Sequence, residues 1–140
     1  MVIPELKNLL SVDLEYGKFP VDPEDCEIYC QADIGPMGMD AADIFFLTVV
    51  TSKHLAKMSG NRWGKGYLIV ESFSWQIVEN AIEKLLSHCS GTDWTDVANK
   101  LNRLLDWEWD LENYPKRLPN PLSPTKSGAS FAPPKKEFTD

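Results

Sequence analysis

Residues 27–34, Glu-Ile-Tyr-Cys-Gln-Ala-Asp-Ile, carry the clearest structural pattern in the chain, because polar and apolar side chains alternate along them. Side chains two residues apart share one face of a strand. The apolar set, Ile28, Cys30, Ala32 and Ile34, therefore faces one side, and the intervening residues face the other. The stretch predicts a strand with one face buried in a core.

Four further strands are predicted from local composition. Residues 43–51 are rich in β-branched and aromatic side chains, which is typical of a central strand, and residues 66–71 form a similar, shorter run. A strand is also predicted near residues 3–10, although Pro4 lies inside it. Residues 107–112 alternate between large apolar and acidic side chains, which predicts an amphipathic strand with an acidic face.

Helices are predicted where a capping residue precedes apolar side chains that recur every three or four positions. Ser52 caps a short helix over residues 53–59, which Gly60 ends. Ser74 caps a longer helix, which Gly91 ends. The inward-facing residues of the longer helix are Val78, Ala81, Ile82, Leu85 and Cys89.

Thr92 or Asp93 begins a third helix. Its inward-facing residues are Trp94, Val97, Ala98, Leu101, Leu104 and Leu105. The predicted order of elements is therefore β-β-β-α-β-α-α-β. Such an order predicts an α+β fold, in which the helices pack on one face of a mixed or mainly antiparallel sheet.

The chain has 140 residues and a net charge of −7, and this charge is unevenly distributed. Residues 115–140 are rich in Pro, Ser and Lys and carry +3, so residues 1–114 carry −10. We expect one folded domain over residues 1–114 and an extended or flexible tail over residues 115–140, because the tail lacks the apolar periodicity of a core. The acidic balance argues against a nucleic-acid partner and suits a basic protein partner.

Export, membrane insertion and metal binding have little support in the sequence. The longest apolar run, residues 44–50, is far shorter than the about 20 residues that span a bilayer, and the N-terminus lacks a signal-peptide pattern. Three cysteines suit a reducing compartment, so we expect a cytoplasmic location. Cys26 and Cys30 would lie about 13 Å apart on a strand, too far for one zinc ion. We expect no metal and no cofactor.

Catalytic motifs are not evident around the two histidines, His54 and His88, so we expect no enzymatic activity. Residues 60–66, Gly-Asn-Arg-Trp-Gly-Lys-Gly, lack the spacing of a phosphate-binding loop and precede a strand rather than a helix. The simplest interpretation is a connection between two elements. The alternative is a recognition loop, because Arg62 and Trp63 are residue types that anchor interfaces.

Two clusters of acidic residues flank the helical part of the sequence. The first comprises Asp22, Glu24, Asp25 and Glu27, and the second comprises Asp106, Glu108, Asp110 and Glu112. The simplest interpretation of each cluster is a solvated surface that keeps the protein soluble. The alternative is attraction of a basic partner, because aligned carboxylates focus negative potential and raise association rates.

Several segments occur in a characteristic order along residues 3–114. They are Glu5–Lys7, Ile34–Pro36, Phe46–Ala56, Leu68–Glu71, the helix that begins at Trp75, Cys89-Ser90-Gly91-x-x-Trp94 and Trp107–Trp109. Together they resemble the immunity protein 8 (Imm8) family of bacterial polymorphic toxin systems. Two departures are Ser52, where a proline is expected at the helix opening, and His54, which takes an often aromatic position.

The resemblance implies an immunity protein, without catalytic residues, that neutralises a cognate toxin by forming a stoichiometric complex. The toxin would be encoded by a neighbouring gene and would have a basic surface, since many such toxins act on polyanions. The expected toxin contacts are Asp106, Glu108, Trp109, Asp110 and Glu112, with Arg62 and Trp63 as the second choice. The phase of Trp109 in the predicted strand points it toward the core.

Two other function classes stay open at this point. One is a small adaptor or chaperone-like module that docks its partner through the Pro-rich tail. The other is an enzyme whose pocket is assembled only in three dimensions, which a single sequence does not reveal.

Overall fold

The structure, a computed structural model, describes residues 1–58, 60–61 and 64–110. The elements follow the predicted order. The strands are β1 (Pro4–Ser11), β2 (Glu27–Pro36), β3 (Asp43–Thr51), β4 (Tyr67–Val70) and β5 (Asp106–Trp107). The helices are α1 (Ser52–Lys57), α2 (Trp75–Leu86) and α3 (Trp94–Leu101). The chain divides into two compact units, Met1–Trp107 and Glu108–Asp140, and all of these elements belong to the first. The predicted tail, residues 115–140, lies outside the described residues.

The five strands form one mixed sheet, as the sequence predicts, and four of them follow the order β1-β2-β3-β4. The first three strands pair antiparallel, and β4 runs parallel to β3 along Thr48–Thr51. The last strand, β5, pairs antiparallel with β3 at Phe45 and Phe46. Because β2 occupies the other edge of β3, β4 and β5 lie one after the other along the same edge.

The core lies where the alternating residues of the sheet meet α2 and α3. The predicted inward set on β2 is confirmed, since Ile28, Cys30, Ala32 and Ile34 are all at most 6% exposed. The core also contains Phe45, Leu47 and Val49 of β3, Val78 and Ile82 of α2, and Val97 and Leu101 of α3. Each fully buried aliphatic side chain of this kind stabilises the fold by about 1.5–3 kcal/mol.

The edge strand β1 contains an irregularity that keeps its apolar residues pointing inward. Its register against β2 shifts between Leu6 and Asn8, so Lys7 is an extra residue. Leu6 packs against the core and Leu9 is buried, although the two are three positions apart. A bulge of this kind also twists an edge strand and discourages further pairing. Pro4 is the first residue of β1, where a missing amide hydrogen is tolerated.

One carboxylate connects three elements of the sheet and helix layers. Asp43, the first residue of β3, accepts hydrogen bonds at Oδ2 from Trp94 Nε1 of α3 (2.8 Å) and from Trp107 Nε1 of β5 (3.0 Å). The buried ring of Phe45 packs near both indoles, edge-on to Trp94 and stacked on Trp107. The start of β3 therefore holds both α3 and β5 in place.

Three predicted helix boundaries are wrong. The first helix is capped by Thr51, whose side chain accepts from His54 N, rather than by Ser52, and it ends at Lys57, before Gly60. The second helix is capped by Ser74, as predicted, but it ends at Leu86.

The chain beyond α2 continues in a turn, whose first two residues, Ser87 and His88, are exposed. Cys89 lies past the end of the helix, yet it is buried as predicted. Gly91 does not end α2, which is already complete at Leu86. The backbone of Gly91 pairs with Val2 in an isolated β-bridge.

The third helix is capped by Asp93, whose side chain accepts from Asp96 N. It ends at Leu101, and this changes the direction of the residues that follow. Leu105 is buried as predicted, whereas Leu104 is 57% exposed, so its inward assignment is wrong. The helical phase does not extend through the turn after Leu101.

Candidate partner-binding surface

The predicted acidic strand at the C-terminus of the domain is shorter than expected. Only Asp106 and Trp107 belong to a strand, and Glu108 and Trp109 form a turn, so the prediction of an amphipathic strand fails for residues 108–110. Trp109 is 48% exposed rather than directed inward, whereas Asp110 is only 7% exposed. Glu112 lies outside the described residues. The acids of this segment therefore do not share the single outward face that the alternation predicts.

Asp106 is held within the sheet by its neighbours. Its Oδ1 atom accepts from Lys65 Nζ at 2.7 Å, and the same ammonium donates to the Leu105 carbonyl. Gly66 packs against the carboxylate so closely that a Cβ atom there would lie 2.8 Å from Asp106 Oδ2, and its φ of +83° also favours glycine. The negative charge of Asp106 is therefore partly neutralised by Lys65.

The second-choice residues, Arg62 and Trp63, lie outside the described residues. The described end of their loop is anchored to the sheet. Gly66 N donates to the Leu104 carbonyl, and Thr48 N donates to the Gly66 carbonyl.

The first acidic cluster makes ion pairs with α1. Asp25 accepts from Lys57 Nζ and contacts His54 Nδ1 at 3.1 Å, and His54 Nε2 lies 3.8 Å from Glu27 Oε1. The hydrogen bond from Lys57 is the largest cause that lowers the pKa of Asp25, and His54 adds to it. These two acids therefore fix α1 against the start of β2. Asp22 accepts from Glu24 N within the loop that precedes β2.

The cysteines are free thiols in protected environments. Burial raises the pKa of Cys30 to about 12, and it also raises the pKa values of Cys89 and Cys26. Cys26 is half-buried and lies just before β2 begins. The prediction that it lies on the strand is therefore wrong. Reactive cysteines need a lowered pKa, so these thiols are poor nucleophiles at neutral pH. Within residues 1–58, 60–61 and 64–110, no three His, Cys, Asp or Glu side chains could hold one metal ion.

The β1–β2 loop, residues 12–26, exposes apolar side chains that the sequence analysis did not single out. Val12, Tyr16, Phe19 and Val21 are between 54% and 106% exposed. The sequence carried no decisive signal for their exposure, because these residues lie in an aperiodic stretch that contains Gly17, Pro20 and Pro23. Apolar residues without periodicity are as consistent with a buried loop as with an exposed one.

A cleft adjoins this loop, between β1 and α2. It has a volume of about 490 Å³. Its lining consists of Leu6–Leu10 of β1, Tyr16 of the loop, and Glu79 and Glu83 of α2. Glu79 and Glu83 are four residues apart, so they project from the same side of α2. Tyr16 joins the loop to the cleft, and we call the loop, the cleft and the two acids together the loop–cleft surface.

The comparison with protein families decides the identity of the chain. The family model of Immunity protein 8 (Imm8) matches residues 4–114. The chain belongs to the Immunity protein 8 family. The match begins at the first residue of β1 and so covers every helix and strand of the described residues of this Imm8 protein, together with both acidic clusters.

Other comparisons add no relative of this Imm8 protein. No curated protein and no solved structure matches the chain.

None of the helices in the described residues is long and apolar enough to cross a membrane. The loop–cleft surface and the C-terminal acids all lie within the part of the chain that the family model matches.

Proposed function

We propose that this Imm8 protein protects the cell that makes it by binding a cognate toxin, encoded by a neighbouring gene, in a stoichiometric complex. The observation that carries the proposal is the family match over residues 4–114. Binding would cover the active site of the toxin or hold the toxin in an inactive shape. No reaction of the Imm8 protein itself is needed.

The charge of the domain supports a toxin with a basic surface. Residues 1–114 carry −10, and opposite charges accelerate encounter between proteins. Fast association benefits an inhibitor that must intercept its target before damage occurs. The proposed location of the encounter is the cytoplasm.

The C-terminal acids and Trp109 remain proposed contacts. The exposure and the partners of each residue decide which of them are the best positions to test. Trp109 is half exposed and is a residue type that often dominates interfaces. Glu108 lies beside it in the same turn. Asp106 is paired with Lys65, and replacing the buried Asp110 would perturb folding as well as binding. The test variants for this region are therefore Trp109→Ala and Glu108→Lys.

Co-expression tests the proposed function directly. The neighbouring gene is expressed alone and together with the Imm8 protein, and growth and complex formation are measured. The expected result is that growth is restored and that both proteins purify together. Toxicity that persists without a complex would contradict the proposal.

Removal of residues 115–140 separates the proposal from the adaptor alternative. An immunity protein that binds through its folded domain should still restore growth after this truncation. A module that docks its partner through the Pro-rich tail should lose the partner.

A further inference from the structure

We propose that the toxin binds the loop–cleft surface, and that it does so through a basic patch with a Lys or Arg side chain inserted beside Glu79 and Glu83. This inference rests on the proposed function, because it names the surface and the chemistry of the same interaction. It differs from the sequence-based expectation, which places the contacts at the C-terminal acids.

Exposed apolar area is the first reason for choosing this surface. Four apolar residues of one short loop, Val12, Tyr16, Phe19 and Val21, are each more than half exposed. Scattered apolar residues are normal on a surface, but four within ten residues, one of them lining an acidic cleft, favour an interaction site. Two of the four are aromatic, and aromatic side chains are enriched at interface hot spots.

The loop is held in place, which is the second reason. The Tyr16 hydroxyl donates to Glu79, and its ring lies 5.1 Å from that of the buried Trp75. Asp13 Oδ2 accepts from Tyr29 N at 2.9 Å, which ties the start of the loop to β2.

The other end of the loop is also fixed. Phe73 N donates to the Pro23 carbonyl at 2.7 Å, which joins the loop to the segment before α2. A surface that is already ordered loses little entropy on binding, so its aromatic side chains contribute more of their contact energy to affinity.

Charge complementarity identifies the partner. The loop and the cleft contribute seven acids: Asp13, Glu15, Asp22, Glu24 and Asp25 from the loop, and Glu79 and Glu83 from α2. The bases on the same elements are Lys7, Lys18 and Lys84, and the Lys7 ammonium is already engaged by Glu5 Oε1 and the Met39 carbonyl. The cleft therefore presents carboxylates beside an apolar rim, which suits the aliphatic stem and the cationic end of a Lys or Arg side chain.

Binding measurements with the purified, catalytically inactivated product of the neighbouring gene test this inference. Phe19→Ala removes exposed apolar area, and Leu104→Ala removes a similarly exposed side chain near the opposite edge of the sheet. Glu83→Lys reverses a charge in the cleft, and Glu71→Lys makes the same change after β4, also at that opposite edge. Urea melts of all four variants establish that each remains folded.

The expected result is specific to position. Phe19→Ala should raise the dissociation constant about tenfold or more, which is typical of an aromatic hot spot. Glu83→Lys should lower the association rate constant about tenfold in low salt, with a smaller effect in high salt. Leu104→Ala and Glu71→Lys should each stay within about twofold of the wild type, as energetically neutral positions do.

The outcomes distinguish failure of this inference from failure of the proposed function. If the wild-type chain binds the toxin and the Phe19 and Glu83 variants bind equally well, the loop–cleft surface is not the interface. If Trp109→Ala alone weakens binding, the contact lies in the C-terminal segment instead. If the wild-type chain does not bind the toxin, the proposed function fails and this inference fails with it.

Discussion

Replacing Asp43 with alanine is expected to destabilise the domain by about 2–4 kcal/mol. Its Oδ2 atom accepts two indole N–H groups, from Trp94 and Trp107, at 2.8 and 3.0 Å. A hydrogen bond to a charged acceptor contributes about 1.5–3 kcal/mol, and we take about 1–2 kcal/mol for each of the two bonds because Asp43 is only half-buried. The alanine variant also leaves two indole nitrogens near the core without their acceptor.

Urea unfolding followed by tryptophan fluorescence measures this effect, since two of the reporting indoles contact Asp43. At a slope of about 2 kcal/mol per molar urea, the middle of the usual range, the midpoint should fall by about 1–2 M. Asp43→Asn keeps an amide oxygen that can accept both bonds, so it should cost about half as much. Asp40→Ala, an exposed carboxylate in the β2–β3 connection, is the matched control. A loss below about 0.5 kcal/mol for Asp43→Ala, the range of ordinary surface substitutions, would refute the reasoning.

Three further predictions follow from local geometry. Gly66→Ala should cost about 1–3 kcal/mol in urea unfolding, because of its positive φ and the 2.8 Å approach to a carboxylate, whereas Gly64→Ala should be nearly neutral. In thiol labelling of the native chain at pH 8, Cys26 should react before Cys30. The pKa of Cys30 is about 12, so only about one Cys30 side chain in ten thousand is a thiolate at this pH. Equal labelling rates would contradict the burial of Cys30. The pKa of Asp25 is lowered by its ion pair with α1, so the stability that it contributes is complete above its unfolded pKa of about 3.9 and is lost as the pH falls through the lower folded value. Acid unfolding of Asp25→Asn should therefore lack that component, and an unchanged acid profile would count against the ion pair.

Strong local patterns made most of the fold predictable. The alternation of residues 27–34 and the composition of residues 43–51 placed β2 and β3, and the side chains of Ser74 and Asp93 cap α2 and α3 as expected. The cap of α1 was missed by one residue. Thr51 and Ser52 both carry hydroxyl groups, and only the extended backbone of Thr51 places its oxygen next to His54 N.

The prediction of a strand over residues 107–112 failed for a reason that lies elsewhere in the chain. A strand over residues 107–112 needs a partner of similar length. In the register of β5, Trp107 pairs with Phe45 of β3, and β3 begins only two residues earlier, at Asp43. Three of the six predicted strand residues would have had no partner. Local alternation cannot reveal where a non-local partner begins.

The loop–cleft surface could not be predicted because exposure is a property of the whole fold. Tyr16 and Phe19 are residue types that usually fill cores, and nothing in their local sequence fixes which way they point. The contact of Tyr16 with Glu79 joins residues 63 positions apart. The acidic clusters were visible in the sequence, but their partners, Lys57 for Asp25 and Lys65 for Asp106, were not.

Stoichiometric titration of toxin activity tests the central claim most directly. Increasing amounts of the full-length Imm8 protein are added to a fixed concentration of the purified toxin, well above the dissociation constant, and the remaining toxin activity is measured. An immunity protein that acts by binding predicts a linear decline that reaches zero at a fixed stoichiometry, with a complex of the same composition. Loss of toxin activity at a small fraction of that amount, or no loss at a large excess, would contradict the account.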